Sequence, residues 1–192
     1  MNTNGLFHVL SSIHPLSEDF KKALEKELIP FTFPKNHILL DPPRTSEYAY
    51  FLDKGFAMSY CFIEGKKITE SFWHSGQIMV AFESFFEQQP SLEAIQLMTK
   101  GDVLCISYAS VQRMFETFPE AQKIYRGVMN HEYEENRRRM RDMRRLNALQ
   151  RFQKLLLTFP DIELIVPQDA IASYLGITAQ SLSRLKRNRS NT

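Results

Sequence analysis

The sequence predicts an α+β protein in which a β-rich N-terminal domain is followed by a long helix and a small helical domain. Short apolar or alternating stretches, separated by turn residues, fill residues 30–107 and indicate successive strands. Residues 110–145 instead show helical periodicity, and a helix–turn–helix pattern follows them. We therefore expect one domain over residues 1–145 and a second over residues 146–192.

The composition is that of a globular protein and excludes several other classes. Of the 192 residues, 43% are hydrophobic, 12% aromatic and 24% charged, which argues against disorder and against a coiled coil throughout. No apolar run approaches the roughly 20 residues of a membrane span, and the N-terminal stretch lacks a signal-peptide pattern. We expect a cytoplasmic protein with no membrane partner. Cys61 and Cys105 are expected to be reduced, because two cysteines form neither a disulfide framework nor a four-thiolate metal site.

The N-terminal elements follow from periodicity and turn chemistry. Apolar residues at helical spacing predict a helix over residues 16–29, with Ser17 as its N-cap. Glycines then recur about ten residues apart, at Gly55, Gly65 and Gly76. This spacing suits turns between successive antiparallel strands of a compact barrel or roll. Residues 80–92 interrupt the strands and are expected to form a short helix and a loop.

Two helices are expected after the strands, a short one that ends near Pro119 and a long one over residues 120–143. The long helix carries a narrow stripe with the alternating spacing of a coiled-coil seam, formed by Met129, Tyr133, Asn136, Met140 and Met143. This stripe either packs against its own domain or meets a partner helix. Because the rest of the helix is heavily charged, we favour self-association, which predicts a homodimer through this helix.

Charge is distributed unevenly along the sequence, although the net charge is only +2. Twelve basic and four acidic residues lie from Asn136 onwards, so that this part carries +8 and the first 135 residues carry −6. A basic end is the usual electrostatic mark of a protein that binds a polyanion. Charge alone does not name the polyanion.

Residues 168–187 satisfy the spacing rules of a helix–turn–helix. Ala172 supplies the small residue where two crossing helices touch, Gly176 tolerates the positive φ of the turn, and Thr178 can cap the second helix. The shared apolar face consists of Ile171, Leu175, Ile177, Leu182 and Leu185. The outer face of the second helix carries short or basic side chains suited to base edges and phosphates, namely Gln180, Ser181, Ser183, Arg184 and Arg187. A plain helical hairpin is the alternative explanation of this pattern.

The segment LGITAQSLSRLKR, together with the glycine-punctuated strands DKGFAMSYCFIEGKKITESFWHSGQI, resembles the CRP/FNR (cyclic-AMP receptor protein/fumarate–nitrate regulator) family of bacterial transcription factors. The resemblance covers essentially the whole chain. It implies a double-stranded, jelly-roll-like β-roll as a cyclic-nucleotide-binding-like sensor domain, a dimerisation helix and a DNA-binding helix–turn–helix. It also implies a homodimer on a pseudo-palindromic operator in double-stranded DNA, with a small-molecule effector and RNA polymerase as further partners.

The same resemblance assigns individual residues to the DNA. Arg184 corresponds to the family's base-reading arginine and is expected to contact a guanine. Its neighbours that face the major groove are Ala179, Gln180 and Ser181. Gln180 stands where many members have glutamate, so their base preference does not transfer. Phosphate contacts are expected from Gln168, Thr178 and Lys186.

Two departures from the family pattern change the expected functions. The stretch AFESFFEQQPSLEA stands where the family binds a cyclic nucleotide, but it has no arginine or glycine and it has three glutamates, so we expect no tight binding of cyclic AMP. The candidate contacts for a ligand in this stretch are Glu83, Ser84 and Ser91. The family's β-hairpin wing is expected to be absent, with phosphate contacts supplied instead by Arg144, Arg145, Arg151 and Arg189.

No enzymatic chemistry is expected. The sequence has no Ser-His-Asp pattern, no phosphate-binding loop and no credible acid pair, and its histidines lack metal-ligand spacing. We therefore predict no catalytic residue, no metal ligand and no cofactor. The main alternative to a regulator is a ligand-binding or protein-interaction module whose helix–turn–helix no longer reads DNA. The orientation of Arg184 and Arg187 separates the two, because buried ion pairs at both would favour the module.

Overall fold

The computed structural model describes residues 3–190, and the side chains of residues 3–188. Over this range the helices are α1 Asn4–Ile13, α2 Glu18–Glu27, α3 Phe82–Glu87, α4 Tyr108–Thr117, α5 Pro119–Arg145, α6 Ala148–Thr158, α7 Ile162–Ile165, α8 Gln168–Tyr174 and α9 Ala179–Ser190. The strands are β1 Ile29–Phe33, β2 Ile38–Leu40, β3 Tyr48–Lys54, β4 Phe56–Ile63, β5 Lys66–His74, β6 Gln77–Met79, β7 Glu93–Leu97 and β8 Gly101–Ser107. None of these helices is both long enough and apolar enough to cross a membrane.

Two four-stranded sheets, as far as the structure describes the chain, form the predicted β-roll and confirm the α+β class. Their strand orders are β1-β8-β3-β6 and β2-β7-β4-β5, and neighbouring strands pair antiparallel. The sheets enclose a common core, in which Leu52 of the first sheet and Ala57 of the second are fully buried. Gly55 turns β3 into β4 with a φ of 122°, and a Cβ atom there would lie 3.0 Å from Gly101 Cα. Only glycine fits this turn.

The N-terminal helix α1 is an element that the sequence pattern does not predict. Thr3 precedes it without a side-chain capping hydrogen bond, and its first turn has no acidic residue, so the usual start signals are missing. Tertiary contacts hold the helix, since Leu6 and Leu10 are buried with residues of α2, α4 and α5. In contrast, Ser17 caps α2 as predicted, because its side chain accepts a hydrogen bond from the N–H of Phe20 at 3.1 Å.

The long helix α5 presents two different faces. One face packs on its own domain, where Ala121 and Ile124 are buried in the same core as α1. The predicted stripe lies about a quarter turn further round the helix, because successive residues are about 100° apart. In this stripe Tyr133 is 62% exposed, Met140 56% and Met143 36%. Most of the stripe is therefore not covered by its own domain. Packing against that domain, the first of the two explanations of the spacing, does not account for it.

The C-terminal helices share a core with the β-roll. Phe152, Ile162 and Leu182 are fully buried in a cluster that also contains Phe56 of β4 and Phe72 of β5. These two strands turn the opposite face towards the interior of the roll. The C-terminal helices thus share their core with the outer face of the sheet that contains β4 and β5.

The junction between α5 and α6 lies inside the predicted boundary region. Asn147 and Gln150 form a capping box at the start of α6, and α5 ends at Arg145. The division into domains of residues 1–145 and 146–192 stays a prediction, because the shared core joins both sides of the junction.

Candidate nucleic-acid interface

The helices α8 and α9 form a helix–turn–helix through the turn at residues 175–178. Gly176 adopts a φ of 66°, the left-handed conformation that the sequence pattern requires of it. Ala172 is 1% exposed, and Leu175 and Leu182 are buried in the same cluster. The predicted motif is therefore present, with Gly176 in its turn and Ile171, Leu175 and Leu182 in its core. Ile177 is half-buried against this core, whereas Leu185, which was also predicted to belong to it, is half-buried and not part of the cluster that the described residues form.

Hydrogen bonds among the predicted DNA contacts fix the start of α9. Thr178 Oγ1 accepts a hydrogen bond from the N–H of Ser181 at 3.1 Å, which is an N-cap, and it lies 3.0 Å from the Ser181 hydroxyl. Gln168 Nε2 donates to the carbonyl oxygen of Ala179 at 3.0 Å and so joins α8 to α9. These bonds fix the first turn of α9 relative to α8.

The outer face of α9 is open to solvent and basic. Its exposed side chains are those of Ala179, Gln180, Ser183, Arg184 and Arg187. In the described part of the chain, neither Arg184 nor Arg187 forms an ion pair. Ser181 and Lys186 are half-buried, and Lys186 Nζ pairs with Glu163 Oε1 at 2.7 Å. The guanidinium groups of Arg184 and Arg187 therefore face outward. Buried ion pairs at these two residues would have favoured the alternative, a module that no longer reads DNA.

Arg151, in α6, donates to the carbonyl oxygen of Leu146 at 2.6 Å, in the junction between α5 and α6. Its guanidinium donates two hydrogen bonds to the carbonyl oxygen of Leu175, at 3.0 and 3.2 Å. The group is therefore engaged by the backbone at the end of α8. Of the other arginines expected to contact phosphates, Arg144 and Arg145 are exposed, and the side chain of Arg189 lies outside the described residues.

Arg139 joins three elements where the β-roll meets the helix–turn–helix. From α5 its guanidinium donates to the carbonyl oxygens of Thr69, at 3.3 Å, and of Glu70, both in β5. The same guanidinium lies 4.3 Å from the centre of the Tyr174 ring in α8. Ser173 Oγ accepts a further hydrogen bond from the N–H of Thr69 at 3.0 Å. The sequence shows Arg139 only as one member of an arginine run, so no pattern reveals this position.

A cavity of about 440 Å³ lies between the β-roll and α5. The residues predicted for ligand binding all line it, namely Glu83, Ser84 and Ser91. Ser84 Oγ accepts from the N–H of Ser46 at 2.8 Å and donates to the carbonyl oxygen of Gln89 at 2.6 Å. Ser91 Oγ donates to the carbonyl oxygen of Glu93 at 2.8 Å. Both hydroxyls thus hold the loop after α3.

The lining of this cavity is acidic. Its described charged side chains are the carboxylates of Glu70, Glu83, Glu93 and Glu132 and the guanidinium of Arg139. Burial raises the pKa of Glu93 and of Glu132, and the nearby carboxylate of Glu70 raises that of Glu93 further. Burial also raises the pKa of the Cys61 thiol, which donates to Glu70 Oε1 at 3.4 Å. An anionic cyclic phosphate would meet repulsion here.

Solved structures have the same fold over most of the chain. A putative transcriptional regulator of the CRP/FNR family from Eubacterium rectale is 17% identical, with a TM-score of 0.73 over 90% of this chain and 83% of its own. The c-di-GMP-responsive global regulator CLP of Xanthomonas campestris is 14% identical, with a TM-score of 0.69 over 91% of this chain and 93% of its own. FixK2 of Bradyrhizobium japonicum is 20% identical, with a TM-score of 0.69 over 85% of each chain. No family model matches the sequence, and no curated protein matches it.

At identities of 14–20% these similarities show the fold alone. The chain has the fold of the CRP/FNR regulators, in which a β-roll, a long helix and a C-terminal group of helices follow one another. The resemblance drawn from LGITAQSLSRLKR and the strand segment is thereby confirmed at the level of the fold.

Proposed function

We propose that the protein is a DNA-binding transcription regulator of the CRP/FNR type that acts as a homodimer on a pseudo-palindromic operator. The observation that carries the proposal is the outer face of α9, where Arg184 and Arg187 are exposed beside short polar side chains. A helix of this kind can enter a major groove and donate to base edges and phosphates. In this role the protein regulates transcription and catalyses no reaction.

The stripe on α5 supports the pairing of two chains. Tyr133 and Met140 are large side chains that are more than half exposed. They lie on a helix of 27 residues, which is about 40 Å long at 1.5 Å per residue. Two such helices packed along their stripes would bury these side chains and relate two helix–turn–helix motifs by a two-fold axis. The recognition helices would then meet half-sites about one helical turn, or ~34 Å, apart.

Within one half-site, Arg184 is the proposed reader of a guanine, with its guanidinium donating to O6 and N7. The proposed contacts to neighbouring base edges are Ala179, Gln180, Ser181 and Ser183. The proposed contacts to phosphates are Gln168, Thr178, Lys186 and Arg187. Lys186 would exchange the Glu163 carboxylate for a phosphate oxygen on binding.

The β-roll is proposed to sense a small-molecule effector other than cyclic AMP. The acidic lining of its cavity, which includes Glu83, Ser84 and Ser91, supports this proposal because it repels an anionic phosphate. A ligand there could bias the spacing of the recognition helices through the junction at residues 144–147. RNA polymerase is the proposed further partner of such a regulator.

Selection of bound sequences from random duplex DNA tests the proposal. We expect a two-fold symmetric sequence to be enriched. Binding to that sequence should weaken steeply as the salt concentration rises, because phosphate contacts release condensed counterions. The alternative, a ligand-binding or protein-interaction module, predicts no enriched sequence, and that result would overturn the proposal.

A further inference from the structure

We propose that the cavity between the β-roll and α5 binds a small organic cation, an aliphatic amine or guanidine, as the effector of the regulator. The effector role rests on the proposed function, whereas the binding itself does not and can be measured without DNA. The proposed ligand is cationic, whereas cyclic AMP is anionic, so the inference is more than a loss of cyclic-AMP binding.

The size and the charge of the cavity suit such a ligand. Its volume of about 440 Å³ lies within the range of small-molecule sites. The described lining carries four carboxylates and one guanidinium, from Glu70, Glu83, Glu93, Glu132 and Arg139. Arg139 donates to two backbone carbonyl oxygens and lies over the Tyr174 ring. Its Nη1 also lies 3.9 Å from Glu70 Oε2, so this ion pair compensates one of the four carboxylates. The uncompensated charge of the lining is therefore negative.

Two of these carboxylates, those of Glu93 and Glu132, are half-buried and, among the residues that the structure describes, form no ion pair with a lysine or an arginine. Glu132 Oε1 accepts a hydrogen bond from Asn136 Nδ2 at 3.1 Å. Burial raises the pKa of both carboxyls, which means that the folded protein holds their ionised forms unfavourably. A cation bound beside them would offset that penalty.

A fully buried hydroxyl lies on the same side of the sheet as these carboxylates. Ser59 of β4 is 0% exposed, and its Oγ makes no hydrogen bond of good geometry to a described residue, although it lies close enough to lower the pKa of Glu93. Ser59 pairs with Ser71 of β5, while Cys61 pairs with Glu93 of β7. Paired residues, and alternate residues of one strand, face the same side of a sheet. Because Ser71, Cys61 and Glu93 line the cavity, the Ser59 hydroxyl lies on the cavity side of the sheet, next to the Glu93 carboxyl.

The arrangement favours an organic cation over a metal ion. The carboxylates come from β5, α3, β7 and α5, and no three acidic, thiol or imidazole groups within residues 3–188 are placed to hold one metal ion. Ala81, Pro90 and Leu92 add apolar surface to the lining. This surface suits methylene groups, and the spread of carboxylates suits two nitrogens separated by them.

Isothermal titration calorimetry of the full chain, without DNA, tests the proposal. The cationic probes are 1,4-diaminobutane and 4-aminobutylguanidine, and the comparison probes are neutral 1,4-butanediol, anionic cyclic AMP and Mg²⁺. We expect both cations to bind and the other three probes not to bind. The double variant Glu93→Gln/Glu132→Gln should weaken cation binding by about tenfold or more, because it removes both half-buried charges. Glu116→Gln, on the exposed side of α4, should leave the affinity unchanged.

The outcomes separate this proposal from its rivals. Glutamine keeps the shape of glutamate, and thermal unfolding of each variant shows that it folds. The proposal is overturned if neither cation binds, if the diol binds as well as the diamine, if Mg²⁺ or cyclic AMP binds in the cavity, or if the double variant binds the cations normally. Cation binding without sequence-specific DNA binding would refute the regulator and keep the cavity site. Sequence-specific DNA binding without cation binding would refute the cavity site and keep the regulator.

Discussion

Arg184 is the residue on which sequence reading by α9 is proposed to depend most. Its guanidinium is exposed, and its neighbours Gln180 and Ser183 are uncharged. Arg184→Ala removes the bidentate donor and should weaken binding to the selected operator by about 1–3 kcal/mol, which is roughly 5- to 150-fold. Fluorescence anisotropy with a labelled operator, at a fixed salt concentration, measures this loss.

Random DNA is the comparison that decides the role of Arg184. A base contact is lost on the operator only, whereas a phosphate contact is lost on every sequence. Arg44→Ala, in the loop between β2 and β3, removes an exposed arginine outside the helix–turn–helix and should leave both affinities unchanged. An equal loss on operator and random DNA would contradict base reading by Arg184.

Burial of the Glu93 carboxyl leads to a prediction about stability and pH. The pKa of Glu93 is raised above its ordinary value of 4.5, so the folded protein favours the protonated form more than the unfolded chain does. The resulting destabilisation is absent below the ordinary pKa and grows as the pH rises through the folded-state pKa. Glu93→Gln should therefore raise the melting temperature at about pH 8 and leave it unchanged at about pH 4.

Differential scanning fluorimetry at both pH values measures this effect. Glu116→Gln, which lies on the exposed side of α4, should give the wild-type melting temperature at each pH. A melting temperature of Glu93→Gln that equals the wild-type value at pH 8 would show that ionised Glu93 is not destabilising.

The partners of single residues were the part of the site that the sequence could not predict. Arg139 and Arg144 belong to the same run of arginines, but the helical rotation of α5 turns Arg139 towards β5 and leaves Arg144 in solvent. Ser84 and Ser91 line the cavity, and their contact with a ligand stays a prediction. Their hydrogen bonds to the backbone depend on the path of a loop, which a linear pattern does not contain.

At the scale of the element, the exposed stripe of α5 predicts how the protein assembles. Met140 is 56% exposed in the single chain and would lie inside a pair of helices. Met140→Glu would place an unpaired carboxylate from each chain in that contact, at a cost of about 3 kcal/mol or more. The dissociation constant of the dimer should rise roughly 100-fold, as measured by sedimentation velocity.

Asn130→Glu is the matched control for this substitution. Asn130 is exposed on another side of α5, so the same added charge should leave the dimer intact. A wild-type protein that is monomeric, or a dimer that tolerates both substitutions equally, would contradict pairing through the stripe.

The elements with strong local signals could be predicted from the sequence, and those held by distant contacts could not. α9 follows Gly176 and begins with the Thr178 cap, and α2 begins with the Ser17 cap. α1 has no such signal, because its position depends on Leu6 and Leu10 meeting a core built by three later helices. α7 has four residues, which is too short for a periodic pattern to show.

At the scale of the whole molecule, the β-roll and the helix–turn–helix depend on one apolar cluster. The ring of Phe72 lies 4.8 Å from that of Tyr174 and 6.0 Å from that of Phe159, measured between centroids. Phe72→Ala should lower the free energy of unfolding by about 3–5 kcal/mol. Phe62→Ala, 63% exposed near the tip of the same hairpin, should change it by less than about 0.5 kcal/mol.

Urea unfolding followed by both fluorescence and circular dichroism measures these values. Because the cluster spans both parts, we expect one transition that the two probes report at the same midpoint. Separate transitions for the β-roll and the C-terminal helices, or equal effects of the two phenylalanine substitutions, would contradict a jointly stabilised core.

The shared cluster also limits how such a chain can diverge. Any change at Phe56 or Phe72 alters the surface on which Phe159 and Tyr174 rest, so substitutions on the two sides must compensate each other. A chimera that takes the C-terminal helices of another member of this fold should fold only when it also takes the matching faces of β4 and β5. The C-terminal helices and the outer faces of β4 and β5 thus form one packing unit, not interchangeable modules.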